Sequence, residues 1–187
     1  MRICSGSIKG MNLNSPKGMK TRPMIERVKL ALFNIIGEEI HGAKVLDCFS
    51  GSGALGLEAL SRGAVECHFV ENGRHVLPVL KANIEKSKFT QWKLTPKSAF
   101  FVKKSLPEQH FDIVLMDPPY KYIDHPCERK ETLEFISELM KHACKQDSLV
   151  ILHCRRHAMA GSPIPKSLEL ESKREYGSSE LWFLRKV

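Results

Sequence analysis

What this chain lacks narrows it first. No stretch approaches the roughly 20 uncharged apolar residues of a membrane-spanning helix. The opening Met1-Arg2-Ile3-Cys4-Ser5-Gly6 has no apolar core of the kind a secretory signal carries. A cytoplasmic protein with no membrane partner is expected. Cysteines occur at 4, 48, 67, 127, 144 and 154, but no two make a C-x-x-C pair. A chain of 187 residues can bury a core without disulfide staples, so reduced thiols are expected. His142 with Cys144, and His153 with Cys154, are too isolated as pairs to suggest a metal centre, and no metal is expected. There is no internal repeat and no low-complexity tract.

Acidic residues are scarce at the start. In the first thirty positions Arg2, Lys9, Lys17, Lys20, Arg22, Arg27 and Lys29 face only Glu26. The formal net charge is +8, which favours an anionic partner, nucleic acid being the commonest. Simple solubility would explain the charge equally well, but its clustering among Gly6, Gly10, Pro16, Gly18 and Pro23 would not follow from it. Residues 1–20 therefore read as a flexible basic arm or short strand pair, and Arg2, Lys9 and Lys20, with Arg22 and Arg27 just beyond it, are suited to a phosphate backbone. Residues 21–187 read as one domain.

Within that domain strands and helices alternate. Thr21 and Pro23 suit a helix start, and Val28, Leu32, Ile35 and Ile36 recur at helical spacing. Strands are expected at 43–49, 65–71, 92–95, 111–116 and 149–154. Helices are expected at 54–62, 74–87, 99–104 and 129–144. Two last strands, 168–175 and 180–185, join at Gly177-Ser178. This is an α/β pattern with a mainly parallel sheet ending in an antiparallel hairpin. Ligands of such sheets bind at the carboxyl ends of the strands, which puts Asp47, Glu71 and Asp117 along one cleft.

Gly51-Ser52-Gly53-Ala54-Leu55-Gly56 matches G-x-G-x-x-G between a strand and a helix, with Glu71 twenty residues beyond Gly51. That is the dinucleotide fingerprint. Asp47 weighs against it, because a carboxylate just before the glycines repels a pyrophosphate. S-adenosylmethionine brings an ammonium and a sulfonium instead, and an acid there attracts both. Glu71 could accept ribose hydroxyls in either case. A tight turn capped by Asp47 is the third reading, and the loop alone leaves all three open.

Asp117-Pro118-Pro119-Tyr120 directly follows the most apolar strand. An exocyclic amine on a nucleic-acid base is a weak nucleophile, its lone pair being delocalised into the ring. The Asp117 carboxylate and the Pro118 carbonyl can accept both of its hydrogens and favour a pyramidal nitrogen. The prolines fix φ and bring no competing N–H. Tyr120 offers a face on which to stack the base.

These segments resemble the bacterial RsmD family. The resemblance rests on DCFSGSGALGLEALSRGA at 47–64, VE at 70–71, DPPY at 117–120, the opening MRICSGSIKGMNL, TRPMIERVKLALFNII at 21–36 and EYGSSELWFLRK at 175–186. DPPY alone is shared with amino-methylating enzymes acting on adenine, cytosine or protein glutamine. The resemblance implies a Rossmann-like class I S-adenosylmethionine-dependent methyltransferase with a seven-stranded sheet. It implies a monomer acting on N2 of a guanine in 16S rRNA of an assembling small subunit, leaving S-adenosylhomocysteine. It places Asp47, Ser50, Gly51, Gly53, Glu71, Asn72, Ser98, Ala99 and Asp117 on the cofactor, and Asp117, Pro118, Pro119 and Tyr120 at the reacting base. Two departures stand out. Asn72-Gly73 replaces a charged pair after Glu71. Lys97-Ser98-Ala99 replaces a stretch in which Asp or Asn usually precedes Ala.

Overall fold

A computed structural model describes residues 1–16, 24 and 26–187. A seven-stranded sheet runs through the centre in the order β3-β2-β1-β4-β5-β7-β6. The parallel part is β1 (Lys44–Cys48), β2 (Glu66–Val70), β3 (Trp92–Thr95), β4 (Phe111–Met116) and β5 (Cys144–Arg155). β6 (Leu168–Tyr176) and β7 (Ser179–Lys186) form the expected hairpin, turning at Gly177 with φ +60°. β7 inserts between β5 and β6 and runs antiparallel to both.

Alternation along each strand sorts its side chains to the two faces. Val45, Ile113, Leu115, Leu149 and Ile151 face one core with α1 (Glu26–Ile36), α2 (Ala54–Ser61) and α3 (Leu77–Ser87). Leu46, Cys48, Val114, Met116, Val150 and Leu152 face the other, under α5 (Pro126–Ala143) and its Leu133, Ile136, Leu139 and Met140. Both faces of the central strands are buried, which is why they read as continuous apolar runs. All six cysteines are free, and burial pushes the Cys144 and Cys154 thiols up to about 12.

Several element ends move from their expected places. α5 starts three residues early, at Pro126, where proline's fixed φ and missing N–H suit a first helical position. A one-turn helix α4 (Lys121–Asp124) precedes it. The segment 99–104 forms two 3-10 turns instead of an α-helix. β5 starts at Cys144 because the polar run before Leu149 is tied to β4: Lys145 Nζ bonds Asp112 and Ser148 Oγ donates to the Phe111 carbonyl.

The N-terminal arm is expected as a flexible segment or a short strand pair. Residues 1–16 pack against the domain. Ile3 and Leu13 are buried, and Arg2 and Asn12 form a β-bridge. Glu58, on α2 and wholly buried, takes the N–H groups of Cys4 and Ser5 at 2.7 and 3.0 Å. Asn83 on α3 accepts the Asn14 N–H and donates to its carbonyl. Thr21, Pro23, Lys17, Lys20 and Arg22 lie outside the described residues.

Candidate active site

At the carboxyl ends of β1, β2, β3 and β4 lies a cleft of about 420 Å³. Its lining gathers Ser50, Gly51, Glu71, Asn72, Ser98, Ala99, Asp117, Pro118, Pro119 and Tyr120. These come from four separate stretches of sequence, and the parallel sheet brings them to one edge. Met1, Met24 and Lys29 close one wall.

The turn after β1 is built by its neighbours. Ser50 Oγ donates to the Asp47 carbonyl at 2.7 Å and accepts the Val70 N–H at 2.9 Å, fastening the ends of β1 and β2 together. Gly51, at φ +56°, turns the chain toward Glu71, whose Oε2 accepts its N–H at 2.9 Å. Glu71 Oε1 accepts the N–H groups of Asn72 and Gly73 at 2.8 and 2.7 Å. The Gly56 position has no room for a side chain: a Cβ there would stand 2.3 Å from Phe69 and 2.6 Å from Cys67 Sγ. That closeness lets α2 lie directly on the sheet.

Two expected site residues sit elsewhere. Asp47 is 1% exposed and lies beneath the loop, its Oδ2 accepting the Gly56 N–H at 2.9 Å. Burial pushes its carboxyl up to about 8, against the Gly56 hydrogen bond and with help from Asp117 and Glu71. Asp47 thus does not line the cleft, whereas Glu71 does. Gly53 is likewise buried beneath the surface, against Leu80. The loop also bears on the dinucleotide reading. The N–H groups of Ser50, Gly51 and Gly53 are already taken by the Val70 carbonyl, Glu71 and the Ser50 carbonyl. A pyrophosphate needs such donors free and would meet the Glu71 carboxylate.

The far wall is aromatic. Phe100 packs edge-on to Tyr122 at 4.9 Å between ring centres and to Phe49 at 5.8 Å. Phe49 and Tyr122 line the cleft beside Ser98 and Ala99. These rings were not singled out in the sequence, since nothing local marks residues 49, 100 and 122 as neighbours. Lys97 turns away and bonds Ser105 Oγ at 2.8 Å, leaving Ser98 at the cleft.

After β4 the chain enters Asp117-Pro118-Pro119-Tyr120. In the following turn the Pro119 carbonyl accepts the Tyr122 N–H and the Tyr120 carbonyl accepts those of Ile123 and Asp124. Arg155 lies over the Tyr120 ring at 4.3 Å. Asp117 Oδ1 meets His153 Nδ1 at 2.7 Å, a partner the sequence did not suggest.

Of the expected nucleic-acid residues, Arg2, Lys9 and Arg27 line one shallow pocket together with Glu26, which pairs with Arg2 at 3.2 Å. Lys29, counted among the basic charges, is instead buried and pairs with Glu58 at 2.9 Å. Among the described residues no group of three His, Cys, Asp or Glu side chains could hold a metal ion.

The family described as "Conserved hypothetical protein 95" matches residues 1–185. The chain belongs to this family, the RsmD family. Ribosomal RNA small subunit methyltransferase D of Escherichia coli is 38% identical over 123 residues, 65% of this chain and 61% of that protein. The Haemophilus influenzae protein of the same name is 37% identical over 125 residues, 65% of each. The match to this RsmD-family chain thus spans under two thirds of each of these relatives. Over full length, the solved structure of Escherichia coli yhhF superposes with a TM-score of 0.82 at 27% identity, covering 100% of this chain and 97% of that one. The fold is that of S-adenosylmethionine-dependent methyltransferases, mostly parallel with an antiparallel terminal hairpin.

Proposed function

We propose that this chain transfers a methyl group from S-adenosylmethionine to an exocyclic amino nitrogen of ribosomal RNA, N2 of a guanine in the small-subunit RNA. One observation carries the reading: the glycine turn, Glu71, Ser98-Ala99 and the Asp-Pro-Pro-Tyr turn line a single cleft. The names of the Escherichia coli and Haemophilus influenzae relatives support ribosomal RNA as the substrate.

The cleft suits the cofactor. Glu71 lines it as an acid and retains lone pairs for hydroxyls beyond its three backbone bonds. The aromatic wall gives a flat adenine an apolar surface, and Ser98 a polar edge. When bound, S-adenosylmethionine supplies a sulfonium methyl, and S-adenosylhomocysteine remains after transfer. The chain's own residues prepare the nucleophile. Asp117 and the Pro118 carbonyl accept the two amine hydrogens, turning the nitrogen lone pair outward, and Tyr120 stacks the base. The proton lost from nitrogen would pass to Asp117 or to water. Positioning is the main catalytic contribution. A paired base cannot enter such a cleft, so the guanine is flipped out or unpaired. Arg2, Lys9 and Arg27, which line one pocket, hold the phosphate backbone, and Lys20 and Arg22 add positive charge in the sequence.

The test is transfer of labelled methyl from S-adenosylmethionine to small subunits, or to their RNA, from a strain lacking the modification. Nucleoside mass spectrometry then locates the methyl. N2-methylguanine with wild type, and its loss with Asp117→Ala, is the expected result. Methyl on adenine, on DNA or on protein overturns the guanine assignment.

A further inference from the structure

β4 and β5 run parallel with Met116 opposite Leu152. The next residue on each side is polar: Asp117 and His153 meet at the carboxyl end of the sheet, Nδ1 to Oδ1, at 2.7 Å. Their surroundings differ. The His153 side chain is 4% exposed, while that of Asp117 is 28% exposed and opens on the cleft. His153 stands among Leu152, Cys154 and, across the sheet on β7, Leu181, all fully buried. An imidazole in such a strand costs transfer free energy that an apolar side chain would not.

The second ring nitrogen completes the picture. Nε2 of His153 is buried and has no hydrogen-bond partner among the described residues. The ring therefore makes one polar contact, and that contact is Asp117. A carboxylate only accepts, so the proton in the bond belongs to Nδ1. A buried N–H at Nε2 would be an orphaned donor, whereas a bare lone pair there is tolerated better. Geometry thus favours a ring that carries its proton on Nδ1. Oδ2 of Asp117 has no protein partner among the described residues.

We infer that His153 is a positioning residue for methyl transfer: its Nδ1–H grips Oδ1 of Asp117, fixes the plane of the carboxylate and leaves Oδ2 to the substrate amine. This rests on the amino-methylation reading above. His153 does not line the cleft and acts through Asp117. A free carboxylate would rotate and would solvate both oxygens. A gripped one holds a single oxygen toward the cleft, where a misplacement of about 1 Å costs roughly 100-fold in rate.

Two measurements test it. In protein labelled with nitrogen-15 at histidine, the His153 ring is expected to carry its proton on Nδ1, and its resonances to shift in Asp117→Asn. A proton on Nε2 overturns the inference without any activity being measured. In kinetics, His153→Leu is expected to lower kcat by roughly 10- to 100-fold, with KM for RNA and calorimetric cofactor affinity within about threefold of wild type. His153→Asn, whose amide N–H can stand near the place of Nδ1–H, is expected to recover most of that loss. In an Asp117→Ala background His153→Leu should subtract nothing further. Equal losses for the Asn and Leu variants, full activity of His153→Leu, or additive losses with Asp117→Ala would each overturn the positioning role. A wild-type protein that methylates no ribosomal RNA is a separate outcome: it overturns the functional reading, and the positioning role with it.

Discussion

Glu58 is where a single atom exchange should tell most about how the N-terminal segment is held. Its carboxylate is 0% exposed and receives two donors on each oxygen. Oε2 takes the Cys4 N–H at 2.7 Å and Lys29 Nζ at 2.9 Å; Oε1 takes the Ser5 N–H at 3.0 Å and Arg62 Nε at 2.9 Å. Glu58→Gln keeps the shape but puts an NH2 where two donors already converge, whichever way the amide is turned. It also leaves Lys29, 1% exposed, without its opposite charge. Removing one partner of a buried ion pair costs about 3–5 kcal/mol. That is a large share of the roughly 5–15 kcal/mol by which proteins of this kind are stable. The melting temperature should fall by on the order of 10 °C. Lys29→Met should cost less, about 1–3 kcal/mol, because Arg62 and two backbone donors remain on the carboxylate. Urea unfolding followed by circular dichroism gives both values, with unchanged m confirming that only stability has moved. Glu58→Gln within 1 kcal/mol of wild type, or Lys29→Met costing more than Glu58→Gln, would refute the reasoning.

Other outcomes follow from features of the cleft. Asp47 has its folded pKa raised to about 8 from about 3.8, so the stability it contributes is complete below pH 4 and is lost as pH rises through 8. Asp47→Asn should flatten that slope, and wild type should lose a few kcal/mol relative to the variant between pH 5 and pH 9; parallel curves in urea titrations at the two pH values would contradict it. Gly56→Ala should destabilise by about 1–3 kcal/mol or more, because the new methyl meets Phe69 and Cys67 inside a packed layer, and a melting curve unchanged from wild type would show that α2 can lift at no cost. Arg27→Ala should weaken RNA binding and reduce the steepness of its salt dependence by about one counterion. An unchanged slope in filter binding would assign Arg27 to the protein's own acids.

The local grammar of the chain was readable wherever one segment settles its own structure. The glycine turn, the buried strands and the hairpin at Gly177 stand where composition and spacing put them, because turn chemistry and strand burial are short-range signals. Contacts made by single polar residues were not readable. His153 sits in the apolar run VILHC, and its partner is 36 residues away. Only the parallel register of β4 and β5 joins them. Lys29 looked like one more basic charge near the start, yet it stands on the buried face of α1 and meets Glu58, whose own run ALGLEALS reads as an ordinary helix. The same omission explains residues 1–16. Glycine, serine and lysine suggest a loose arm, but the backbone N–H groups of Cys4 and Ser5 find a buried carboxylate that no local pattern announces. Asp47 stands at the strand end where the sequence puts it, while its depth below the loop is invisible in the sequence.

The place of β7 has a bearing on biosynthesis. It is the last of the seven strands to leave the ribosome, yet it lies between two made before it. Until Ser179–Lys186 emerges, β5 presents a row of unsatisfied N–H and C=O groups along an apolar strand that carries His153. Such an edge invites pairing with another nascent chain. Closure of the sheet therefore waits for the seventh strand, and the strand that carries His153 gains its second neighbour only when β7 slots in.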